Sequence, residues 1–234
     1  MNIAAVQQFT MLDYPGKTAC IVFFAGCPLR CGYCHNPEFV LPEKIRKLKP
    51  SFISEESFFS FLDKRSDLLD GVVISGGEPT VHADLILFIE KIKEKGFLVK
   101  LDTNGTHPFV IREMLDKELL DYIAMDVKTS IAGYPKLVGP RLKVGDIMES
   151  IDTIKDSNIA YEFRSTLIRE VHSKDILDSM ARLIAGAKML YLQQFRSGET
   201  LDPKFREYSS FSAEELQDVV APIFRPFVDK VLVR

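Results

Sequence analysis

The chain has 234 residues, 46% hydrophobic and 27% charged, with a formal net charge of −3, a balance that lets a globular core form. It excludes general disorder, and nothing in it points to nucleic acid or to a membrane surface as partner. No run nears the ~20 apolar residues a bilayer span requires, and Met1 to Ala5 lacks a basic segment followed by an apolar one, so a cytoplasmic protein is expected.

Thr18 to Phe24 is a continuous apolar, β-branched run, suited to a strand buried on both faces. Gly71 to Ser75, Leu98 to Asp102, Tyr122 to Asp126 and Met189 to Gln193 read the same way, and Ala160 to Thr166 joins them by spacing. Helical patterns lie between. Ser54 with Glu55 and Glu56 opens one, and His82 to Lys95 carries a periodic apolar face that Gly96 stops. Pro108 to Leu115, Val144 to Lys155, Ser173 to Ile184 and Ser212 to Val220 are further helices. Strands alternating with helices of this length build right-handed βαβ units and a parallel sheet. The α/β expectation is a single domain over residues 1–234, an incomplete (β/α)6 TIM-like barrel. Its core runs from about 18 to 200, with an N-terminal extension and a C-terminal helix–strand segment.

In such folds chemistry collects at strand carboxyl ends. There the sequence places Cys27, Cys31 and Cys34, then Gly76-Gly77-Glu78-Pro79, Asp102-Thr103-Asn104-Gly105, Asp126-Val127-Lys128 and Arg164. Three of the four cysteines within eight residues, in a chain expected to be cytoplasmic, read as metal ligands rather than disulfides. Two metals suit thiolates. Structural zinc would need His35 as fourth ligand, although zinc sites usually draw on two separated pairs and His35 adjoins Cys34. An iron–sulfur cluster needs only the three thiols and keeps one iron open, which suits this spacing better.

The Cys-x-x-x-Cys-x-x-Cys spacing, with Tyr33 before the last cysteine, resembles the radical S-adenosylmethionine superfamily. The wider string is Asp13-Tyr14-Pro15-Gly16, Phe23-Phe24-Ala25-Gly26-Cys27 and Cys31-Gly32-Tyr33-Cys34-His35-Asn36-Pro37. It is similar to the branch that activates glycyl radical enzymes such as pyruvate formate-lyase and anaerobic ribonucleoside-triphosphate reductase. The likeness is dense from Phe9 to Thr129 and thin beyond.

That resemblance implies a [4Fe–4S] cluster on Cys27, Cys31 and Cys34. Its open iron would bind S-adenosylmethionine, and one electron would split the cosubstrate to a 5′-deoxyadenosyl radical. The hydrogen would then come from a glycine of a partner glycyl radical enzyme. The resemblance also implies that Gly76, Gly77 and Glu78 meet the cosubstrate amino group, that Tyr33 and His35 lie on the adenine side, and that Asp102, Thr103, Asn104, Asp126, Lys128 and Arg164 contact the cosubstrate. Asp102, Thr103 and Asp126 would also hold a monovalent cation, as in some relatives.

Cys20 cannot build a second cluster alone, so flavodoxin or ferredoxin is the expected electron donor. The basic run Glu43 to Lys49 is a solvated face or a docking patch for such an acidic carrier. Gln193-Gln194-Phe195-Arg196 departs from the Pro-Tyr-His-like end of pyruvate formate-lyase activators. An alternative substrate is a small molecule, as for carboxydeazaguanine synthase, and a zinc-stabilised interaction domain is a third reading. His82, His107 and His172 receive no role.

Overall fold

The computed structural model describes residues 1–140 and 142–234. Eight strands form one sheet in chain order: β1 (Ile3–Thr10), β2 (Ala19–Phe24), β3 (Gly71–Gly76), β4 (Leu98–Thr103), β5 (Tyr122–Asp126), β6 (Ala160–Leu167), β7 (Ala187–Gln194) and β8 (Val228–Val233). β1 pairs antiparallel with β2, whereas β2–β3, β3–β4, β6–β7 and β7–β8 pair in parallel. This is the expected α/β succession of an incomplete (β/α)6 barrel, β2 to β7, with one further strand at each edge. β1 has no strong pattern in the sequence because Gln7, Gln8 and Phe9 are exposed, as an edge strand allows.

The helices are α1 (Pro42–Leu48), α2 (Glu55–Asp63), α3 (Leu85–Glu94), α4 (Pro108–Asp116), α5 (Tyr134–Val138), α6 (Val144–Lys155), α7 (Lys174–Leu183), α8 (Ala213–Glu215) and α9 (Ala221–Phe224). None among the described residues is long and apolar enough to cross a membrane. The helix expected from His82 begins at Leu85 instead. Pro79–Val81 forms a 3-10 turn on a Glu78 cap, and His82 behind it is extended (φ −89°, ψ 118°). The C-terminal helix expected over Ser212 to Val220 passes through a π turn (Leu216–Val220) and runs on to Phe224.

Contacts gather into two compact units. The first comprises Met1–Pro28, Asn36–Thr103 and Phe109–Ile123. Its strands β2 and β3 are held together at their amino ends by Asp70, which accepts from the Thr18 amide (2.7 Å) and hydroxyl (2.8 Å). α2 starts where Ser54 accepts from the Ser57 amide, and α3 stops at Gly96, whose φ of +85° favours glycine. Leu85, Phe88, Ile89 and Ile92 of α3 are buried. Phe88 sits edge-on to Phe24 (5.4 Å between centroids) and stacked on Phe58 (5.3 Å).

The second unit comprises Leu29–His35, Asn104–Pro108 and Ala124–Arg234. Its edge strand β8 ends on Arg234, whose guanidinium lies 3.5 Å from the Tyr191 ring centroid and 3.4 Å from the buried Glu162 carboxylate. A carboxylate on the inward face of β6 is thereby partnered from two strands away.

Phe88→Ala should cost about 3–5 kcal/mol, since it removes the ring shared by Phe24 and Phe58. Urea unfolding of the variant measures this, and a loss below ~1 kcal/mol would mean the aromatic cluster is not a main support of α3.

Candidate functional site

In the first unit, β2 leads into Ala25-Gly26-Cys27, a turn fixed by the Gly26 amide donating to the Phe39 carbonyl (2.8 Å). The loop after β3 packs against this turn: the Gly77 amide donates to Phe24 O (2.8 Å) and the Glu78 amide to Gly26 O (2.7 Å). A Cβ on Gly76, at φ +117°, would lie 2.3 Å from the Phe24 nitrogen, and one on Gly77 would lie 2.2 Å from the Gly26 carbonyl oxygen. Backbone of β2 and its turn therefore fills the space these two glycines leave.

Glu78 is fully buried. Its Oε1 accepts from the Thr80 amide (3.2 Å), the Thr80 hydroxyl (2.5 Å) and the Thr103 hydroxyl (2.8 Å), which join the loop after β3 to the tip of β4. Asp102, two residues along β4 from Lys100, accepts from Lys100 Nζ (2.5 Å) and from the Ser75 hydroxyl (3.2 Å).

In the second unit lie Cys31, Tyr33, Cys34 and His35. The Cys34 carbonyl accepts from the Leu201 amide (3.0 Å) and the Gly32 carbonyl from the Asp202 amide (2.9 Å). The 3-10 turn Pro203–Glu207 then sets Phe205 beside Tyr33, 6.2 Å between ring centroids. A Cβ on Gly32 would fall 2.2 Å from the Phe205 ring, so only glycine fits beneath it. His35 stacks on Phe195 at 5.7 Å. Asn104 is buried in an Asx turn, accepting from the Thr106 amide (3.1 Å) and hydroxyl (2.7 Å), which shapes the loop after β4.

Asp126, Lys128 and Arg164 do come together. Asp126 Oδ1 accepts from Arg164 Nε (3.0 Å) and Oδ2 from Lys128 Nζ (3.2 Å). Burial alone would raise the Asp126 carboxyl, yet the two cations outweigh it and hold the group at about 2. The Lys128 amide donates to the Tyr134 hydroxyl (3.1 Å). Its carbonyl accepts from Nε2 of the buried His172 (3.0 Å), while His172 Nδ1 accepts from the Ile168 amide (2.9 Å). Burial holds His172 below its ordinary value, so the ring stays neutral in that tautomer and clamps the backbone of Lys128.

None of the four cysteines is in a disulfide. Burial pushes the Cys31 thiol up, and the Lys128 ammonium is the main influence pulling it back. Lys128 also lies 5.8 Å from the Tyr33 ring centroid. Cys20 sits inside β2 with its thiol pushed up to about 12 by burial, which leaves it inert. Among the described residues, no three His, Cys, Asp or Glu side chains are gathered closely enough to hold a single metal ion. The donor chemistry fits an iron–sulfur cluster: three cysteines outside any disulfide within eight residues of sequence, with an ammonium positioned to offset thiolate charge at Cys31.

Residues 21–183 match the model of the radical SAM superfamily. The chain belongs to that superfamily. Its relatives set it in the branch of the glycyl-radical enzyme activating enzymes. A Methanocaldococcus jannaschii protein described as a candidate glycyl-radical enzyme activating enzyme is 33% identical over 99% of this chain and 95% of its own length. The pyruvate formate-lyase-activating enzyme of Clostridium pasteurianum is 29% identical over 65% of this chain and 64% of its own. Among solved structures, a domain of a pyruvate-formate lyase-activating enzyme from Bacteroides vulgatus shares the fold, with a TM-score of 0.55 at 18% identity. It covers 70% of this chain and 98% of that one.

Phe205, Lys100 and His172 were not singled out for the site by sequence. Gly32, wedged between two cysteines, was the available sign that something large lies against the loop. A lysine among the apolar residues Leu98, Val99 and Leu101 of β4 was the sign for Lys100.

Two outcomes are expected. Asp126 is depressed in the folded state, from 3.8 to about 2, so it stabilises the protein above about pH 4 and loses that contribution as the pH falls towards 2. Its side chain is 35% exposed and partly screened, which reduces the effect to on the order of 1 kcal/mol. In urea unfolding, the gap between wild type and Asp126→Asn should close over that window; a gap independent of pH would contradict the pairing. Gly32→Ala should dislodge Phe205 and lower stability by ~1–3 kcal/mol, and adding Phe205→Ala should remove part of that loss.

Proposed function

We propose that this radical SAM enzyme generates a glycyl radical on a partner enzyme, of which anaerobic ribonucleoside-triphosphate reductase is the type. The observation that carries the reading is the set of three cysteines outside any disulfide within eight residues, with the Lys128 ammonium acting on Cys31, in a chain similar over 99% of its length to a candidate activating enzyme. Cys27, Cys31 and Cys34 would hold three irons of a [4Fe–4S] cluster. When bound, the cluster supplies the electron that splits the C5′–S bond of S-adenosylmethionine, so that the adenosyl fragment can take a hydrogen atom from substrate.

The remaining work falls to the chain. Gly76 and Gly77 keep the loop after β3 flush against the turn at Gly26, and the buried Glu78, engaged by Thr80 and Thr103, fixes the loop that the resemblance sets against the cosubstrate ammonium. Lys128 and Arg164, fixed by Asp126, give cationic donors for its carboxylate. Tyr33 and His35, packed on Phe205 and Phe195, present ring surfaces for adenine, and Asn104 shapes the loop after β4. The segment at Leu201 and Asp202 covers the cysteine loop and limits water there.

Cys20 is the one remaining cysteine in the chain and is buried, so the electron comes from an external carrier, flavodoxin or ferredoxin. The exposed Arg46, Lys47 and Lys49 of the α1 region are suited to an acidic protein of that kind. The chemistry and the absence of a long apolar helix among the described residues agree with work in the reducing cytoplasm.

Anaerobically reconstituted protein, reduced and mixed with S-adenosylmethionine and a glycyl radical enzyme, should give a Gly-centred signal by electron paramagnetic resonance. It should also release 5′-deoxyadenosine. Cys31→Ala should bind less iron and sulfide and lose both signals. Release of 5′-deoxyadenosine with conversion of a small metabolite, and no protein radical with any candidate partner, would place the substrate elsewhere.

A further inference from the structure

The structure carries its own cation at Asp102. We propose that the Lys100 ammonium permanently occupies the position that the activase resemblance assigns to a monovalent metal ion, so that this protein binds its cosubstrate without sodium or potassium. Lys100 and Asp102 are two residues apart on β4 and share a face of the strand by the period of two, so their meeting is built into the backbone. Lys100 is 2% exposed and its Nζ lies 2.5 Å from Asp102 Oδ1. The Tyr122 ring centroid lies 5.8 Å from the same nitrogen, giving the ammonium an aromatic face as well as an anion. Asp102 Oδ2 already accepts from Ser75.

A potassium or sodium ion arriving at Asp102 would have to displace this ammonium. Lys100 is itself almost fully buried on β4, so the exchange would leave a buried charge without its partner, which is strongly disfavoured. Asp126, the other carboxylate assigned to the ion, is likewise engaged at both oxygens by Arg164 and Lys128. The residues present therefore do not fit a metal cation, although each carboxylate has the positive charge that such an ion would provide. The inference rests on membership of the superfamily and on the reading of Asp102 as a cosubstrate residue, and it is independent of which substrate gives up hydrogen.

The test compares three salts at equal ionic strength: tetramethylammonium, potassium and sodium chloride. Metal-free protein is melted in each, and S-adenosylmethionine binding to reconstituted protein is titrated in each. Wild-type melting curves should coincide, and the dissociation constants should agree within about twofold. Lys100→Met should melt lower and become salt-specific, with potassium or sodium restoring several degrees that tetramethylammonium does not. Lys100→Arg keeps the charge and should remain insensitive. A weakening of about tenfold in wild-type binding when potassium and sodium are withdrawn overturns the proposal. So does a Lys100→Met protein that melts alike in all three salts. Should Lys100→Met fail to fold in any salt, the wild-type titrations and Lys100→Arg decide the matter alone. None of these readouts depends on the partner enzyme.

Discussion

Compensation of charge at the carboxyl ends of the strands is the constraint on which the site depends. Parallel strands buried by helices offer few places for a carboxylate, and each one retained must meet a cation or a donor at short range. Asp102 finds Lys100, Asp126 finds Lys128 and Arg164, and Glu78 gathers the hydroxyls of Thr80 and Thr103. These pairings fix the directions of the polar groups before any ligand arrives. Charges fixed in this way lower the ordering cost of binding a charged ligand.

The same principle extends into the backbone. His172 and Tyr134 make no contribution of charge, but between them they hold the carbonyl and amide of Lys128. The ammonium that acts on Cys31 is thus held at its root by two buried rings from later in the chain. Glycines act by the opposite means. Gly77 and Gly32 leave out a Cβ so that a neighbouring backbone and a neighbouring ring can close over the loop.

Much of this was legible in the sequence. Strands β2 to β5 announced themselves as apolar runs because both their faces are largely buried, β7 by a shorter apolar run and β6 by its spacing, and the cysteine spacing, with the residues around it, pointed to the right superfamily. β1 escaped notice because half of its surface is wet and carries two glutamines. The start of α3 was misplaced because the periodic pattern from His82 says nothing of the turn that Pro79 imposes. Arg164 was found from its place late in β6 and from the resemblance, whereas Lys100, mid-strand on β4, had neither sign. Phe205 and His172 could not be read in advance, since each gains its meaning from a partner far off in the sequence.

That distance has a bearing on how the molecule matures. The cysteine loop is complete only when Leu201 and Asp202 have bonded to it and Phe205 has packed on Tyr33, yet these lie far along the chain from it. Long-range closures of this sort come late in folding. Until that closure, Cys31 and Cys34 lie on a loop that lacks the hydrogen bonds from Leu201 and Asp202.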